Sequence, residues 1–332
     1  MKTTGKKRTS GLVTSERIMK GILLAVLLLF PFYHGQGNQT WSEDGSYAAM
    51  SKDLIRSNIE ECKDQIVWME GIELSAAPLI YSFYHKNNYN PAWTNGNDLT
   101  PQSQMIFDLL HESYKYGIEP VLLNIEELEY LRQNLTKENQ MKQSVRLRAG
   151  FEFLITNSVM TFMLYISRGN EFALRRDIFV KENQRLTSLA EYLHTITTSD
   201  DIRNRILSLQ PESQDYRIYQ EEMEQIVNFI ELLEKDNTLE ETDQDVVMYN
   251  ELYNYLLANK ENLKSDSFSG TDDPSLLLVE IQKKLELRET GKLNAPTRNA
   301  ITMHMRSRYA EIAYHMERMR NQNTGSMFLT GI

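Results

Sequence analysis

The residues able to do covalent chemistry begin with the single cysteine, Cys62. A thiol becomes a nucleophile when a histidine or another positive group lowers its pKa. The neighbours of Cys62 are instead Glu60, Glu61 and Asp64, whose negative charges raise the pKa of the thiol. None of the six histidines adjoins it: they are His34, His85, His111, His194, His304 and His315. Cys62 is therefore predicted to be a packed apolar residue on a helix, and one cysteine allows neither an intrachain disulfide nor a cysteine-based zinc site.

Other catalytic or metal-binding patterns are missing from the sequence. No two histidines have the His-x-x-x-His spacing that places two metal ligands on one helix face. Glu221, Glu222 and Glu224 lie on polar faces of an amphipathic helix, which is typical of a solvated surface. The acidic residues 236–245 and the Ser/Asp/Gly loop 262–274 lack the order of a calcium loop. We therefore predict no catalytic residue, no metal site and no cofactor.

Composition and charge favour a globular helical protein. The chain has 332 residues, of which 41% are hydrophobic and 25% charged, with few Gly and Pro. Leu, Glu, Gln, Met and Lys, which favour helices, are abundant. The formal net charge of −10 makes the chain a poor electrostatic match for nucleic acid or anionic lipid. The composition thus predicts an all-α fold that does not bind nucleic acid.

Residues 1–37 have the layout of a signal peptide. A basic start that includes Lys6, Lys7 and Arg8 precedes the apolar run 22–33, and the small residues Gly35 and Gly37 follow. The apolar run is shorter than the roughly 20 residues that span a bilayer. The sequence therefore predicts an exported protein of the periplasm or cell envelope, and the alternative is an uncleaved membrane anchor. Contact with the membrane would come only through this segment.

Residues 88–120 contain two turns and a helix between them. Pro91 and the Asn95-Gly96 pair favour a turn around Trp93. Thr100-Pro101 predicts a helix N-cap followed by proline at the first helical position. Gly117 is expected to end this helix, and Pro120 follows soon after.

Apolar residues recur at helical spacing through most of the remaining chain. Further helices are predicted at residues 53–69, 76–86, 125–135, 145–167 and 186–195, and within the segment that begins at 200. The most apolar of them, 145–167, is expected to form the core, with Leu154 at its centre. A hinge is expected at 264–273. Beyond it, three short helices are predicted in residues 274–320, the second capped by Asn294 and the third covering 306–320.

Several short motifs resemble, in order, the non-catalytic part of large bacterial L,D-transpeptidases. The first group is Tyr89-x-Pro91-x-Trp93, Leu99-Thr100-Pro101 and Tyr116-Gly117-Ile118-x-Pro120. The second group is Arg168-Gly169, Leu209-x-Pro211 with Tyr216, and the last helix with Glu317, Arg318 and Arg320. After Gly169, the proline and tryptophan usual in that family are replaced by Asn170-Glu171-Phe172. Residues 274–320 are similar to a reduced peptidoglycan-binding repeat, in which Ile281 stands where the repeat usually has Phe.

The resemblance implies a structural or interaction role for these motif residues. The catalytic domain of such enzymes needs a Ser-His-Gly-Cys type motif, which this sequence lacks. The implied domains are a signal peptide at 1–37, a helical scaffold at 38–265, a small peptidoglycan-binding-like unit at 274–320 and an unstructured tail at 321–332. The implied function is a non-enzymatic scaffold in peptidoglycan cross-linking or remodelling, whose partner is peptidoglycan or a peptidoglycan-processing enzyme. The alternative is an exported helical protein-interaction domain unrelated to peptidoglycan.

Overall fold

The computed structural model describes residues 47–60, 67–69, 72–95, 98–135, 141–173, 183–234, 254–255 and 274–322. The predicted signal peptide, Cys62, the hinge at 264–273 and residues 323–332 lie outside this part of the chain. Within the described part the fold is all-α, as the composition and periodicity predicted. Strands occur there only as two short antiparallel hairpins.

The elements follow one another along the chain as a series of helices. The first half contains α1 (Tyr47–Ile59), β1 (Val67–Met69), β2 (Ile72–Leu74), α2 (Ala77–Lys86), β3 (Thr94–Asn95), β4 (Asp98–Leu99), α3 (Pro101–His111), 3₁₀ helices at Ser113–Tyr116 and Pro120–Leu123, and α4 (Ile125–Leu135). The second half contains α5 (Met141–Ala173), α6 (Asn183–Ile196), α7 (Ile202–Leu207), α8 (Gln214–Glu234), α9 (Pro274–Lys284) and α10 (Ala295–Gln322).

Helix α5 is the centre of the larger hydrophobic core. Every residue from 151 to 167 is buried, and α1, α2, α3, α4 and α6 pack around this stretch. Within the described residues, only Val145–Asn170 of this helix is long and apolar enough to cross a membrane, and 94% of its most apolar window is buried inside the protein. The prediction of a central core helix at 145–167 is confirmed.

Leu154 tests this core directly. Its side chain is fully buried in the larger hydrophobic cluster. We expect Leu154→Ala to lower the free energy of unfolding by about 2–5 kcal/mol, because the surrounding helices only partly close the cavity. Urea denaturation followed by circular dichroism measures the change, and the matched control is the exposed Val121→Ala. A midpoint equal to that of the control would contradict the placement of Leu154.

A second hydrophobic cluster joins α8, α9 and α10. Met223 and Ile226 of α8 pack in it with Ile281 of α9 and with Ile312 and Met316 of α10. Helix α10 also packs against α5. The last part of the chain therefore shares its core with α8, which the sequence analysis placed in the preceding domain.

Three helix predictions differ from the structure. The predicted helix 53–69 ends at Ile59, and Val67–Met69 forms a hairpin with Ile72–Leu74, where Val67, Trp68 and Ile72 are residue types that favour strands. Helix α3 ends at His111, and a 3₁₀ turn carries the chain to Gly117. The second and third predicted helices of the C-terminal part are one continuous helix, Ala295–Gln322.

Candidate functional site

The turn at Tyr89–Trp93 is built around the buried carboxylate of Glu152. Asn88 and Tyr89 have positive φ angles of 51° and 59°, which reverse the chain after α2. The backbone N–H groups of Ala92, Trp93 and Thr94 then donate to the Glu152 carboxylate over 2.9, 3.0 and 2.8 Å. One side chain of the core helix thus satisfies three consecutive donors, which fixes the turn.

Two side-chain hydroxyls complete the shell of Glu152. Thr94 Oγ1 donates to Oε1 over 2.8 Å, and the hydroxyl of Tyr84 donates to Oε2 over 2.7 Å. Burial raises the pKa of Glu152, and the backbone and side-chain donors oppose this rise. Burial, followed by the charge of Glu152, raises the pKa of Tyr84 far above its ordinary value. The tyrosine therefore stays a hydrogen-bond donor at neutral pH.

Trp93 fills the space between the turn and the core helix. Its ring is fully buried and lies parallel to Phe83 of α2, with 6.0 Å between the ring centroids. Its indole N–H donates to Thr156 Oγ1 over 2.8 Å. Trp93 therefore lies between α2 and the core helix α5.

The predicted N-cap at Thr100 is also confirmed. Thr100 Oγ1 accepts the backbone N–H of Ser103 over 3.1 Å, and Pro101 is the first residue of α3. The hairpin of β3 and β4 brings Thr100 back to the turn, since its N–H donates to the carbonyl of Trp93 over 2.9 Å. The first two motifs therefore form one structural unit held by Glu152.

A second cluster brings the later motifs together around the end of α10. We call this cluster, made of Tyr116, Gly117, Gly169, Tyr216, Glu317 and Arg320, the C-terminal junction. The guanidinium of Arg320 is buried, donates from Nε to the Tyr216 hydroxyl over 2.9 Å and donates from Nη2 to the carbonyl of Tyr116. Tyr216 in turn donates to Gln210 Oε1 over 3.1 Å. Burial raises the pKa of Tyr216, and the positive charge of Arg320 partly offsets it.

Two glycines allow helix α10 to approach the rest of the protein. Gly117 has a φ of 64°, and a Cβ on it would lie 3.1 Å from the Cβ of Ala313. Gly169 has a φ of 77° and interrupts α5, and the next backbone N–H, of Asn170, donates to the Glu317 carboxylate. The motif glycines therefore mark two places where backbone and helix α10 meet.

Gly169 supplies a testable prediction. A Cβ at this position would lie 2.3 Å from Asn321 Oδ1 and 2.7 Å from Glu317 Oε1, and its φ is strained for any other residue. We expect Gly169→Ala to lower the free energy of unfolding by about 1–3 kcal/mol. Gly150→Ala is the control, because a Cβ there meets nothing closer than 4.0 Å. Equal thermal midpoints for the two variants would show that the junction tolerates a side chain.

The remaining predicted residues lie at other places in the fold. Pro120 begins a 3₁₀ helix, and Pro211 lies in the connection between α7 and α8. Arg168 is half-buried beside Gly169. Arg318 is exposed, with its guanidinium over the ring of Tyr314 at 6.0 Å.

Sequence reasoning missed Glu152, Tyr84 and Thr156. One signal was present: Glu152 is an acidic residue inside the most apolar helix of the chain, where an ionisable group needs partners. Three of the five groups that donate to it are backbone N–H groups, which a sequence does not reveal, and the two hydroxyls come from distant positions. In the part of the chain that the structure describes, no three His, Cys, Asp or Glu residues group as metal ligands would.

Residues 78–223 match the family model described as the Scaffold domain. The match begins in α2 and ends in α8, so it contains the Glu152 turn, the core helix and the Tyr116, Gly169 and Tyr216 parts of the C-terminal junction. A Scaffold domain is therefore present in this chain. No curated protein and no solved structure matches the chain significantly.

Proposed function

We propose that this protein is an exported, non-enzymatic scaffold of the cell envelope that supports peptidoglycan cross-linking or remodelling. The proposal joins the Scaffold-domain match with the resemblance of its motifs to the non-catalytic part of L,D-transpeptidases. Peptidoglycan, or an enzyme that processes it, is the proposed partner.

The observation that carries the proposal is the convergence of four motif stretches in the C-terminal junction. Residues from positions 116–117, 169, 216 and 317–320 are far apart in sequence and meet at helix α10. Tyr116 and Tyr216 bind the buried guanidinium of Arg320, while the backbone at 117 and 169–170 approaches Ala313 and Glu317 of the same helix. Glu317 and Arg320 lie beyond the matched residues 78–223, yet they bind Asn170, Tyr116 and Tyr216 inside that range. The motifs thus belong to one packing arrangement, which supports treating the resemblance as a shared architecture.

Retention on peptidoglycan tests the proposal. The purified full chain is mixed with isolated sacculi, and bound protein is measured after sedimentation, with an acidic helical protein of similar size as the control. We expect the chain to sediment with sacculi and the control to stay in solution. Failure to sediment, together with failure to capture a transpeptidase from an envelope extract, would reject a role in peptidoglycan.

The alternative function is protein interaction unrelated to peptidoglycan. It is favoured by the 3₁₀ helix Pro120–Leu123, where Val121 is 80% exposed and Leu122 is also exposed. A variant with Val121→Ser and Leu122→Ser would lose an envelope partner under this alternative and would still sediment with sacculi under the first proposal.

We expect the purified chain to have no transpeptidase activity. Acyl transfer needs an activated thiolate and an oxyanion hole, and the only thiol, Cys62, has acidic sequence neighbours. Incubation with tetrapeptide muropeptides should yield no cross-linked dimers by liquid chromatography and mass spectrometry. Sedimentation with sacculi should be unchanged in Cys62→Ala. Dimers formed by the wild-type chain and lost in Cys62→Ala would overturn the non-enzymatic assignment.

A further inference from the structure

A groove between α8 and α10 belongs to neither contact network described above. It lies where the start of α8 passes the end of α10, and its volume is about 410 Å³. This volume falls within the roughly 300–1,000 Å³ typical of small-molecule sites. We call it the α8–α10 groove.

One wall of the groove is a fixed ion pair between Arg308 and Glu222. Arg308 donates from Nε to Oε1 of Glu222 over 2.8 Å and from Nη2 to Oε2 over 2.9 Å. The hydroxyl of Tyr255 also donates to Glu222, over 2.8 Å. The pKa of Arg308 is raised, chiefly by its hydrogen bonds to Glu222. Arg308 also donates from Nη1 to Oε2 of Glu311 over 2.8 Å, so the charged groups of this wall are already paired within the protein.

A second wall is aromatic and apolar. The rings of Tyr219 and His315 are nearly parallel, at 6° and with 5.3 Å between their centroids. Ile218, which is 52% exposed, and Met319 line the groove beside them. Flat aromatic surface next to water favours a ligand that has one apolar face and a polar rim.

The groove also holds planar polar groups that are not engaged in hydrogen bonds. Among the described residues, Asp215, Arg318 and Gln322 form no hydrogen bond or ion pair through their side chains. Each of these groups has at least two polar atoms in one plane. The two carboxylates and two guanidiniums that line the groove balance in charge, so they give no preference for an anionic or a cationic ligand.

We propose that the α8–α10 groove binds the glycan strand of peptidoglycan through its N-acetylated amino sugars. A pyranose ring has an apolar C–H face, which would lie against the Tyr219–His315 pair. Its hydroxyl and acetamido groups would bind Asp215, Arg318 and Gln322, because a planar polar group can form hydrogen bonds with two neighbouring hydroxyls at once. The choice of the glycan strand as the source of the sugar rests on the proposed function, whereas the sugar chemistry rests on the groove itself.

The test uses the full chain and the β-1,4-linked tetramer of N-acetylglucosamine as the probe, measured by isothermal titration calorimetry. We expect saturable binding by the wild type. Asp215→Asn and Arg318→Gln should each weaken it about tenfold, because each loses a hydrogen bond to a charged group. Arg217→Gln is the matched control, because Arg217 is exposed on the same turn of α8 and does not line the groove. Circular dichroism melting curves verify that each variant is folded.

Three results with isolated ligands would overturn the groove assignment. They are no binding of the tetramer at millimolar concentration, equal weakening by Arg217→Gln, and binding of a sugar-free stem tetrapeptide that Arg318→Gln abolishes. The last result would assign the groove to a peptide. Tetramer binding without retention on sacculi would reject the proposed function and leave the sugar site standing. Retention on sacculi that neither Asp215→Asn nor Arg318→Gln weakens would leave the proposed function standing and reject the groove as the glycan site.

Discussion

Replacing Glu152 with alanine is expected to lower the free energy of unfolding by about 3–5 kcal/mol, because it leaves several buried hydrogen-bond donors without their acceptor. The side chain accepts hydrogen bonds from the backbone of Ala92, Trp93 and Thr94 and from the hydroxyls of Tyr84 and Thr94. Each buried donor left without a partner costs about 1–3 kcal/mol. The turn is therefore expected to loosen before the rest of the core.

Urea denaturation with tryptophan fluorescence measures this effect, because Trp93 lies in the affected turn. Glu221→Ala is the matched control, since Glu221 is exposed on α8 and its replacement keeps a good helix former. Glu152→Gln should fall between the two, because the amide keeps one acceptor but turns its NH₂ group toward another donor. A loss of less than about 1 kcal/mol in Glu152→Ala would mean that water replaces the carboxylate at little cost.

Replacing Arg320 with alanine is expected to lower the free energy of unfolding by about 2–4 kcal/mol, because it leaves two buried acceptors without a donor. Those acceptors are the carbonyl of Tyr116 and the hydroxyl of Tyr216. The loss should be concentrated where α10 meets the Scaffold domain. Hydrogen exchange should accordingly rise in the last turns of α10 before it rises in α5.

Arg318→Ala provides the control for Arg320, because it changes the same residue type two positions away on the exposed face of the same helix. Arg320→Lys should recover only part of the stability, since an ammonium group lacks the planar fork that reaches both acceptors. Equal stability of the two alanine variants, or full recovery by lysine, would show that the buried guanidinium does not hold the junction.

Local signals in the sequence predicted much of the helical framework. The helix at 125–135 and the N-cap of Thr100 agree with the structure. Asn294 also acts as predicted, since its Oδ1 accepts the N–H of Thr297 over 3.0 Å. These features depend on residues within three or four positions of each other, which is the range that periodicity and capping report.

The features that sequence reasoning missed depend on distant partners. The predicted helix 53–69 included Val67–Met69, which instead pairs with Ile72–Leu74 as the hairpin of β1 and β2. Helix α10 continues past residue 306, where the sequence analysis began a separate helix. Its packing on α8 and α5 supports this continuous helix. The C-terminal junction joins Tyr116 to Arg320, 204 positions apart, and only the motif resemblance suggested that these residues were related.

The unbroken length of α10 has a mechanical consequence. Its 28 residues form a rod about 42 Å long at a rise of about 1.5 Å per residue. One end of the rod is clamped to the Scaffold domain by Arg320, while Ile301 and Met305, nearer the other end, pack in the cluster that includes α9. Because Ile312 and Met316 also pack in this cluster with α8, and α10 contacts α5 as well, force applied to α9 would be shared along these interfaces before it reached Arg320.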